Sequence, residues 1–299
     1  DVGRRAADLA TSLSPQIGHA EMQQFVIERL SRPYRVQPSI ALAPHVARRL
    51  TATDSPKRDD VKRKQARKIE STLDLRLQRF AGDVLRQQLN VLQGKNVGEG
   101  ALLIVENATG NVLAYVGSSG NSQVDGVTAR RQAGSTLKPF LYGLAIEKRL
   151  LTAASILDDS PVHIPTERGL YVPHDYDHRS RGPVSVRIAL SSSLNIPAVR
   201  TQLIVGTESF ASRLRSTGFD LSRPAEFYGF SLALGTADVT LQELVNAYRA
   251  LSQDGIWSDL HLTPGAKSNH RRVMDANAAH IVTDILSDRA SRSIAFGFD

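Results

Sequence analysis

Gln132-Ala133-Gly134-Ser135-Thr136-Leu137-Lys138-Pro139-Phe140 is the stretch from which the rest of the chain is read. A glycine precedes a serine, and an apolar run with helical character follows. On a helix, residues three apart share a face with their Cβ atoms about 5–6 Å apart, which brings Lys138 over Ser135. Pro139 fits the first turn of a helix, where a backbone N–H has no partner to lose, so Ser135 falls at or beside the helix start. There the free N–H groups and the positive end of the dipole favour negative charge. Serine is a weak nucleophile at neutral pH and needs a neighbouring base, which a lysine of lowered pKa supplies. This is the only Ser-x-x-Lys in the chain. Taken alone, the spacing also fits a helix-capping serine followed by a surface lysine.

Working outward, 299 residues with 41% hydrophobic and 22% charged content are ordinary globular material, enough for one large domain and an accessory piece. The net charge of +7 is unevenly placed: Lys57, Arg58, Lys62, Arg63, Lys64, Arg67 and Lys68 face only Asp59 and Asp60 in one short run. Such a run reads as a solvated linker, or as a segment resting on an anionic membrane or wall polymer. No zinc-finger cysteines, aromatic-rich basic stripe or RNA-binding signature accompanies it, so no nucleic-acid partner is expected. Cysteine is absent, which removes disulfides, thiolate metal sites and cysteine nucleophiles. No stretch of about 18 apolar residues occurs and no signal peptide is visible. Asp1-Val2-Gly3-Arg4 lacks an initiator methionine, and the sequence is expected to be a piece of a longer protein.

Residues 1–66 read as short helices with polar joints, among them His19 to Leu30, followed by the basic linker. Ile69 to Asp74 is predicted as a short strand leading into a helix whose apolar face is Leu77, Phe80, Val84, Leu85, Leu89 and Leu92, with Gly94 at its end. Residues 102–106 and 112–116 are β-rich runs around Asn107-Ala108-Thr109-Gly110-Asn111, a hairpin pattern. The serine helix is expected to end near Leu150, and residues 151–183, rich in Pro, Asp and His, read as a long loop. Mainly helical sequence follows. Thr240 with Glu243 forms a capping-box pattern before Leu241, Leu244, Val245, Tyr248 and Leu251, with Gly255 closing the helix, and a last helix is predicted from Asp275 to Ser287.

Ser191-Ser192-Ser193-Leu194-Asn195 offers a second hydroxyl and an amide downstream of the nucleophile candidate. Ser193 is placed to pass protons between nucleophile and leaving group, and Asn195 to hydrogen-bond both lysine and a substrate amide. The same residues also fit a plain helix end. Ser119-Gly120-Asn121, the other Ser-x-Asn considered, sits in a glycine-containing loop tip and reads as turn chemistry.

With these residues in view, the chain resembles the transpeptidase domain of class A penicillin-binding proteins, most closely their 1C branch. Ser71 to Gln78 is similar to the family's entry strand and helix, and Gly134 to Phe140 to its nucleophile motif. Tyr171-Val172-Pro173, Gly182-Pro183-Val184, Leu194 to Val199, Ser231 to Gly235 and Thr240 to Tyr248 continue the resemblance in order, and Ala43 to Leu50 looks like the upstream linker. The resemblance implies an α+β fold of the penicillin-binding/β-lactamase-like type: an antiparallel sheet flanked by a larger helical part, its last strands missing from this chain. It implies a helical and basic linker over residues 1–66 and a transpeptidase domain over 67–299, incomplete at its C-terminal side.

The implied activity is that of a serine-type D-Ala-D-Ala transpeptidase/carboxypeptidase of the bacterial envelope, on the periplasmic side of the inner membrane. Ser135 would be the nucleophile, Lys138 the base, Ser193 the proton relay and Asn195 the positioner, with no cofactor and no metal. Implied partners are peptidoglycan stem peptides, β-lactams that acylate the same serine, and other cell-wall synthesis proteins. A glycosyltransferase domain and a membrane anchor would lie outside this sequence.

Two departures stand against the family pattern. Lys-Thr-Gly or Lys-Ser-Gly, its third motif, does not occur: Lys267-Ser268-Asn269 lacks the glycine and Arg215-Ser216-Thr217-Gly218 carries an extra residue. That motif would bind the substrate carboxylate and give one oxyanion donor, and losing one such donor costs roughly 10²–10³ in rate. Without the later strands, the hairpin would also show an edge that other structure must cover. Glu243-Leu244-Val245-Asn246 has the wrong spacing for β-lactamase deacylation, so slow hydrolysis of a drug adduct is expected. A second class of reading is a non-catalytic module that holds stem peptide or β-lactam without turnover. A serine-lysine sensor or β-lactamase relative is disfavoured by the entry strand and linker. His174-Asp175-Tyr176-Asp177-His178 has a metal-like composition, but two histidines four apart on a loop are a weak ligand set.

Overall fold

The computed structural model describes residues 42–53, 68–120, 122–166 and 169–297. The predicted helix at His19 to Leu30, nearly all of the basic run and Asn121 lie outside the described residues. Helix α1 (Pro44–Thr53) falls in the sequence expected to be linker. Val46 packs with Val112, Tyr115 and Val127, and Arg49 donates to the Tyr115 hydroxyl at 3.0 Å and to Gln242 Oε1 at 2.9 Å.

Residues 69–74, predicted as a strand, form no ladder. They meet the hairpin and its neighbour only at points: Thr72 N–H donates to Leu262 O and its hydroxyl to Val112 O, and Asp74 N–H donates to Leu113 O. Asp74 then caps α2 (Leu75–Val91) by accepting from the N–H groups of Arg76 and Leu77. The predicted face of α2 packs inward at Leu77 and Leu85, against Ala81, Ala114 and Val116, but Phe80 is 64% exposed while the polar Gln78 is buried. The reason is polar. Gln78 accepts from Tyr115 N–H at 2.7 Å and donates to Tyr115 O at 2.9 Å, so an amide side chain serves as strand partner to an edge that would otherwise be unpaired.

That edge belongs to the predicted hairpin, β1 (Leu102–Val105) and β2 (Val112–Val116), antiparallel with Leu102 opposite Val116 and a register shift at Ile104/Val105. On the β1 side lies an open groove of about 570 Å³ lined by Leu103, Ile104, Val105, Leu244 and Tyr248. Strand β3 (Arg131–Gln132), a 3₁₀ turn (Gly134–Leu137) and α3 (Lys138–Glu147) follow. The expected long loop is only partly loop, because it holds β4 (Ile156–Asp158), β5 (Ile164–Thr166), β6 (Gly169–Tyr171) and β7 (Pro183–Ser185), paired β4 with β7 and β5 with β6. Three-residue strands broken by Pro and Asp carry too little alternation to register as sequence pattern.

The helical part comprises α4 (Val186–Ser191), α5 (Asn195–Val205), α6 (Thr207–Ser216), α7 (Ala225–Tyr228), a 3₁₀ stretch (Gly229–Leu234), α8 (Leu241–Ser252), α9 (Ala276–Ser287) and α10 (Arg289–Phe296). Between them, β8 (Asp238–Val239) pairs with β3, and β9 (Ile256–Ser258) with β10 (His270–Arg272). The capping box forms as read: Glu243 N–H donates to Thr240 Oγ1 at 3.1 Å and Thr240 N–H to Glu243 Oε2 at 2.8 Å. The predicted last helix is α9, capped by Asp275, and α10 is an unpredicted further helix capped by Asp288. α3 is buried on every side from Lys138 to Ala145, in contact with α4, α5, α6 and α9. A helix apolar all round belongs in a core, and full burial of each large side chain contributes about 1.5–3 kcal/mol. Phe140 makes edge contacts with Phe219 (5.6 Å) and Tyr248 (5.5 Å), fixing the first turn of α3.

Candidate active site

Ser135 lies in the 3₁₀ turn, exposed, with Lys138 one turn later at the start of α3 and Pro139 in its first turn. A 3₁₀ turn has three residues, so side chains three apart lie over one another. Ser135 O accepts from Lys138 N–H. Among the described residues no protein group hydrogen-bonds the Ser135 hydroxyl.

The turn is held by close backbone approach. Gly134 N–H donates to Gly235 O at 2.9 Å and Ala133 N–H to Ala237 O at 3.0 Å. Gly235 sits at φ +75°, and a Cβ there would stand 1.8 Å from Gly134 O, so only glycine fits. Tyr248 of α8 donates to Thr136 O at 3.0 Å, and Thr136 Oγ1 donates to Ala133 O at 2.6 Å.

Lys138 is 1% exposed. Its Nζ donates to Ser193 O at 2.6 Å, to Ser193 Oγ at 3.2 Å and to Asn195 Oδ1 at 2.7 Å. Three acceptors saturate an ammonium group. Burial lowers the lysine pKa to about 8 against the opposing pull of the Asp175 carboxylate. At neutral pH the group is therefore mostly charged yet close to releasing its proton.

Ser193 and Asn195 come from the α4–α5 junction. α4 ends with Ser193 N–H donating to Leu190 O and Leu194 N–H to Ala189 O, and Ser193 itself takes φ +55°. A serine in this left-handed conformation costs on the order of 1 kcal/mol where glycine would cost little, a strain of the kind that collects at functional positions. Leu194 then caps α5 without a side-chain hydrogen bond. That role falls to Asp175, whose carboxylate accepts from Asn195 N–H, while Asn195 Nδ2 donates to His174 O at 2.8 Å.

The four predicted residues thus stand in two groups. Lys138, Ser193 and Asn195 are joined by direct hydrogen bonds, and Ser135 is linked to them through the backbone of its turn. Sequence reading missed Asp175, seen there only as part of a metal-like cluster, along with Gly235 and Tyr248 as supports of the serine turn. An unpartnered N-cap position at Leu194 is the signal that points to an external carboxylate. The His174 and His178 rings lie 5.6 Å apart, and among the described residues no group of three or more His, Asp or Glu is placed to hold a metal ion. No described helix is long and apolar enough to cross a membrane.

Residues 100–296 match the family model "Penicillin binding protein transpeptidase domain". Penicillin-binding protein 1C of Escherichia coli is 35% identical over 230 residues, 75% of this chain and 29% of that protein. Penicillin-binding protein 2D of Bacillus subtilis is 30% identical over 73% of this chain and 33% of its own length. The chain therefore spans about a third of these relatives. The crystal structure of penicillin-binding protein 1A from Haemophilus influenzae superposes with a TM-score of 0.59 at 25% identity, over 63% of this chain and 34% of that one. The chain belongs to the penicillin-binding protein transpeptidase domain family.

Proposed function

We propose that this domain is a peptidoglycan D,D-transpeptidase working through an acyl-enzyme on Ser135. The observation that carries the reading is the buried Lys138 amine, held by Ser193 and Asn195 one 3₁₀ turn after an exposed serine. Ser193 O and Asn195 Oδ1 can only accept, so they keep two N–H groups of the lysine in either protonation state. The third site of Nζ is free to change: a lone pair when neutral, an N–H towards Ser193 Oγ when charged.

In this scheme Ser135 Oγ attacks the carbonyl of the penultimate D-alanine of a stem peptide and its proton passes to Lys138. Collapse of the tetrahedral intermediate breaks the peptide bond, and the departing D-alanine amine takes a proton from Lys138 through the Ser193 hydroxyl. An amine of a neighbouring stem peptide then attacks the ester, loses a proton along the same path, and Ser135 leaves as its hydroxyl. Asn195 orients the lysine through Oδ1. Developing negative charge meets the Ser135 N–H and the positive end of the serine turn, since the Gly134 and Lys138 N–H groups are engaged and Pro139 has none. A β-lactam, with a strained amide in place of the D-Ala-D-Ala bond, acylates the same serine. We place the domain in a longer bifunctional envelope protein, on the periplasmic side of the inner membrane, beside a glycosyltransferase domain and other cell-wall synthesis proteins.

The test is covalent labelling with a fluorescent penicillin. Labelling of the chain that is lost in Ser135→Ala supports the reading. Reversible binding of the probe with no covalent band would instead support a module that holds ligand without turnover.

A further inference from the structure

Behind Asn195 lies a second buried acidic group that the catalytic scheme leaves unused. Asp159 is 0% and Asp175 5% exposed. One oxygen of each is accounted for: Asp159 Oδ2 accepts from Arg181 N–H at 2.9 Å, and Asp175 Oδ1 accepts from Asn195 N–H. The other two, Asp159 Oδ1 and Asp175 Oδ2, are buried and find no donor. The Asp175 carboxyl neighbours Asp159 and acts on its proton affinity. Two orphan acceptors side by side in a core are satisfied together by one proton.

The same segment grips Asn195 twice, by the Asp175 carboxylate on its N–H and by the His174 carbonyl on its Nδ2. We propose that Asp159, as the acid, donates to the Asp175 carboxylate, and that this one-proton pair is a positioning device that clamps Asn195, and through it Lys138, in the acylation site. The proposal rests on the catalytic reading above for what the clamp serves.

Asp175 is the acceptor of the pair because its carboxylate takes the Asn195 N–H at the start of α5, an 11-residue helix whose N-terminus favours an anion. Burial, with Asp175 next in effect, pushes the Asp159 carboxyl up to about 7, so it holds a proton where an ordinary carboxyl would not. The other titratable groups facing the pair are Lys138 and the buried phenol of Tyr142 from α3, and Arg181 from the loop before β7, whose Nη1 stands 3.9 Å from Asp159 Oδ2. Arg200 of α5 turns away to Asp158 and Ser160.

Two readouts test this on the whole chain. In infrared spectra at about pH 6, above the ordinary carboxyl range, the wild type should show a protonated-carboxyl C=O band that disappears in both Asp159→Asn and Asp175→Asn, since either amide replaces the shared proton. No such band in the wild type, or a band that survives both substitutions, overturns the shared proton. In the second readout, the rate of fluorescent-penicillin labelling is followed against pH. Asp159→Asn should stay within about threefold of wild type, because its amide can still donate to Asp175, whereas Asp175→Ala should fall about 10²-fold through misplacement of the site. Asp175→Asn keeps an acceptor for Asn195 N–H but removes the anion beside Lys138, so its rising limb should move to lower pH. That limb decides the matter if the alanine variant does not fold. Wild-type labelling by Asp175→Ala, or an unmoved limb in Asp175→Asn, overturns the positioning role. Ser135→Ala run alongside separates the two ideas: labelling that persists there refutes the nucleophile, while the infrared band still reports on the shared proton by itself.

Discussion

The two sides of this site are built by opposite means. Ser135 stands on a turn fixed by backbone and apolar contacts: Gly134 against Gly235, Ala133 against Ala237, Tyr248 under Thr136, and Phe140 between Phe219 and Tyr248. Asn195 stands on a helix start fixed by buried polar groups: Asp175, the His174 carbonyl and, behind them, Asp159 and Arg181. Lys138 belongs to the first side by chain and to the second by its hydrogen bonds. The difference means that steric changes should break the serine side, and changes of charge or hydrogen bonding the asparagine side.

Ser135→Ala should have the largest effect on chemistry, lowering acylation by at least about 10³-fold, as removal of a serine nucleophile does. Because Ser135 is exposed and its hydroxyl holds nothing in place, the thermal midpoint should stay within a degree or two of wild type, read by calorimetry. Lys138→Met comes next. It removes the proposed base, and acylation should drop about 10²–10⁴-fold in stopped-flow fluorescence. Its acceptors at Ser193 O and Asn195 Oδ1 lose their donor, although the cost of burying an ammonium is relieved.

How much of this was legible in sequence divides along the same line. The serine side is local: a glycine, a serine, a lysine three on and a proline at the helix start define one turn, and the chain folds it much as read. The hairpin, the Thr240–Glu243 capping box and the last predicted helix were legible for the same reason, since each is set by neighbours within a few residues. The Asn195 side was not. Asp175 is 20 residues from Asn195, and Asp159 lies in a Pro- and Asp-rich segment whose short strands leave no periodicity. On the buried face of α2, Leu77 and Leu85 were legible and Gln78 was not, because Gln78 is polar in composition yet a strand partner in space. Apolar pattern reports burial but cannot anticipate a buried amide with a backbone to bind.

Two smaller effects sharpen the contrast. Gly235→Ala places a methyl against Gly134 O at a φ of +75° and should cost about 2–4 kcal/mol in denaturant unfolding, while leaving the Lys138–Asn195 contacts intact in any molecule that folds. Ser193→Gly should do the reverse. It relieves the left-handed serine, so stability should hold or rise by up to about 1 kcal/mol. Acylation should still fall at least about tenfold, because the hydroxyl beside Lys138 is gone. A variant that is no less stable yet slower separates relay chemistry from architecture.

The pH dependence follows from the lysine. Its pKa is held at about 8 by burial, and the proposed base is its neutral form, so the acylation rate of the wild type should climb as pH rises through about 8.

The central claim is that Ser135 carries the acyl group, and adduct mapping tests it most directly. The chain is incubated with a penicillin, digested with trypsin and read by mass spectrometry. Trypsin cleaves after Arg131 but not between Lys138 and Pro139, so the candidate serine falls in the peptide from Gln132 to Lys148. One penicillin on that peptide, localised to Ser135 by fragmentation, is the predicted result; an adduct on the Ile188 to Arg200 peptide that contains Ser193, or none on any peptide, would contradict it.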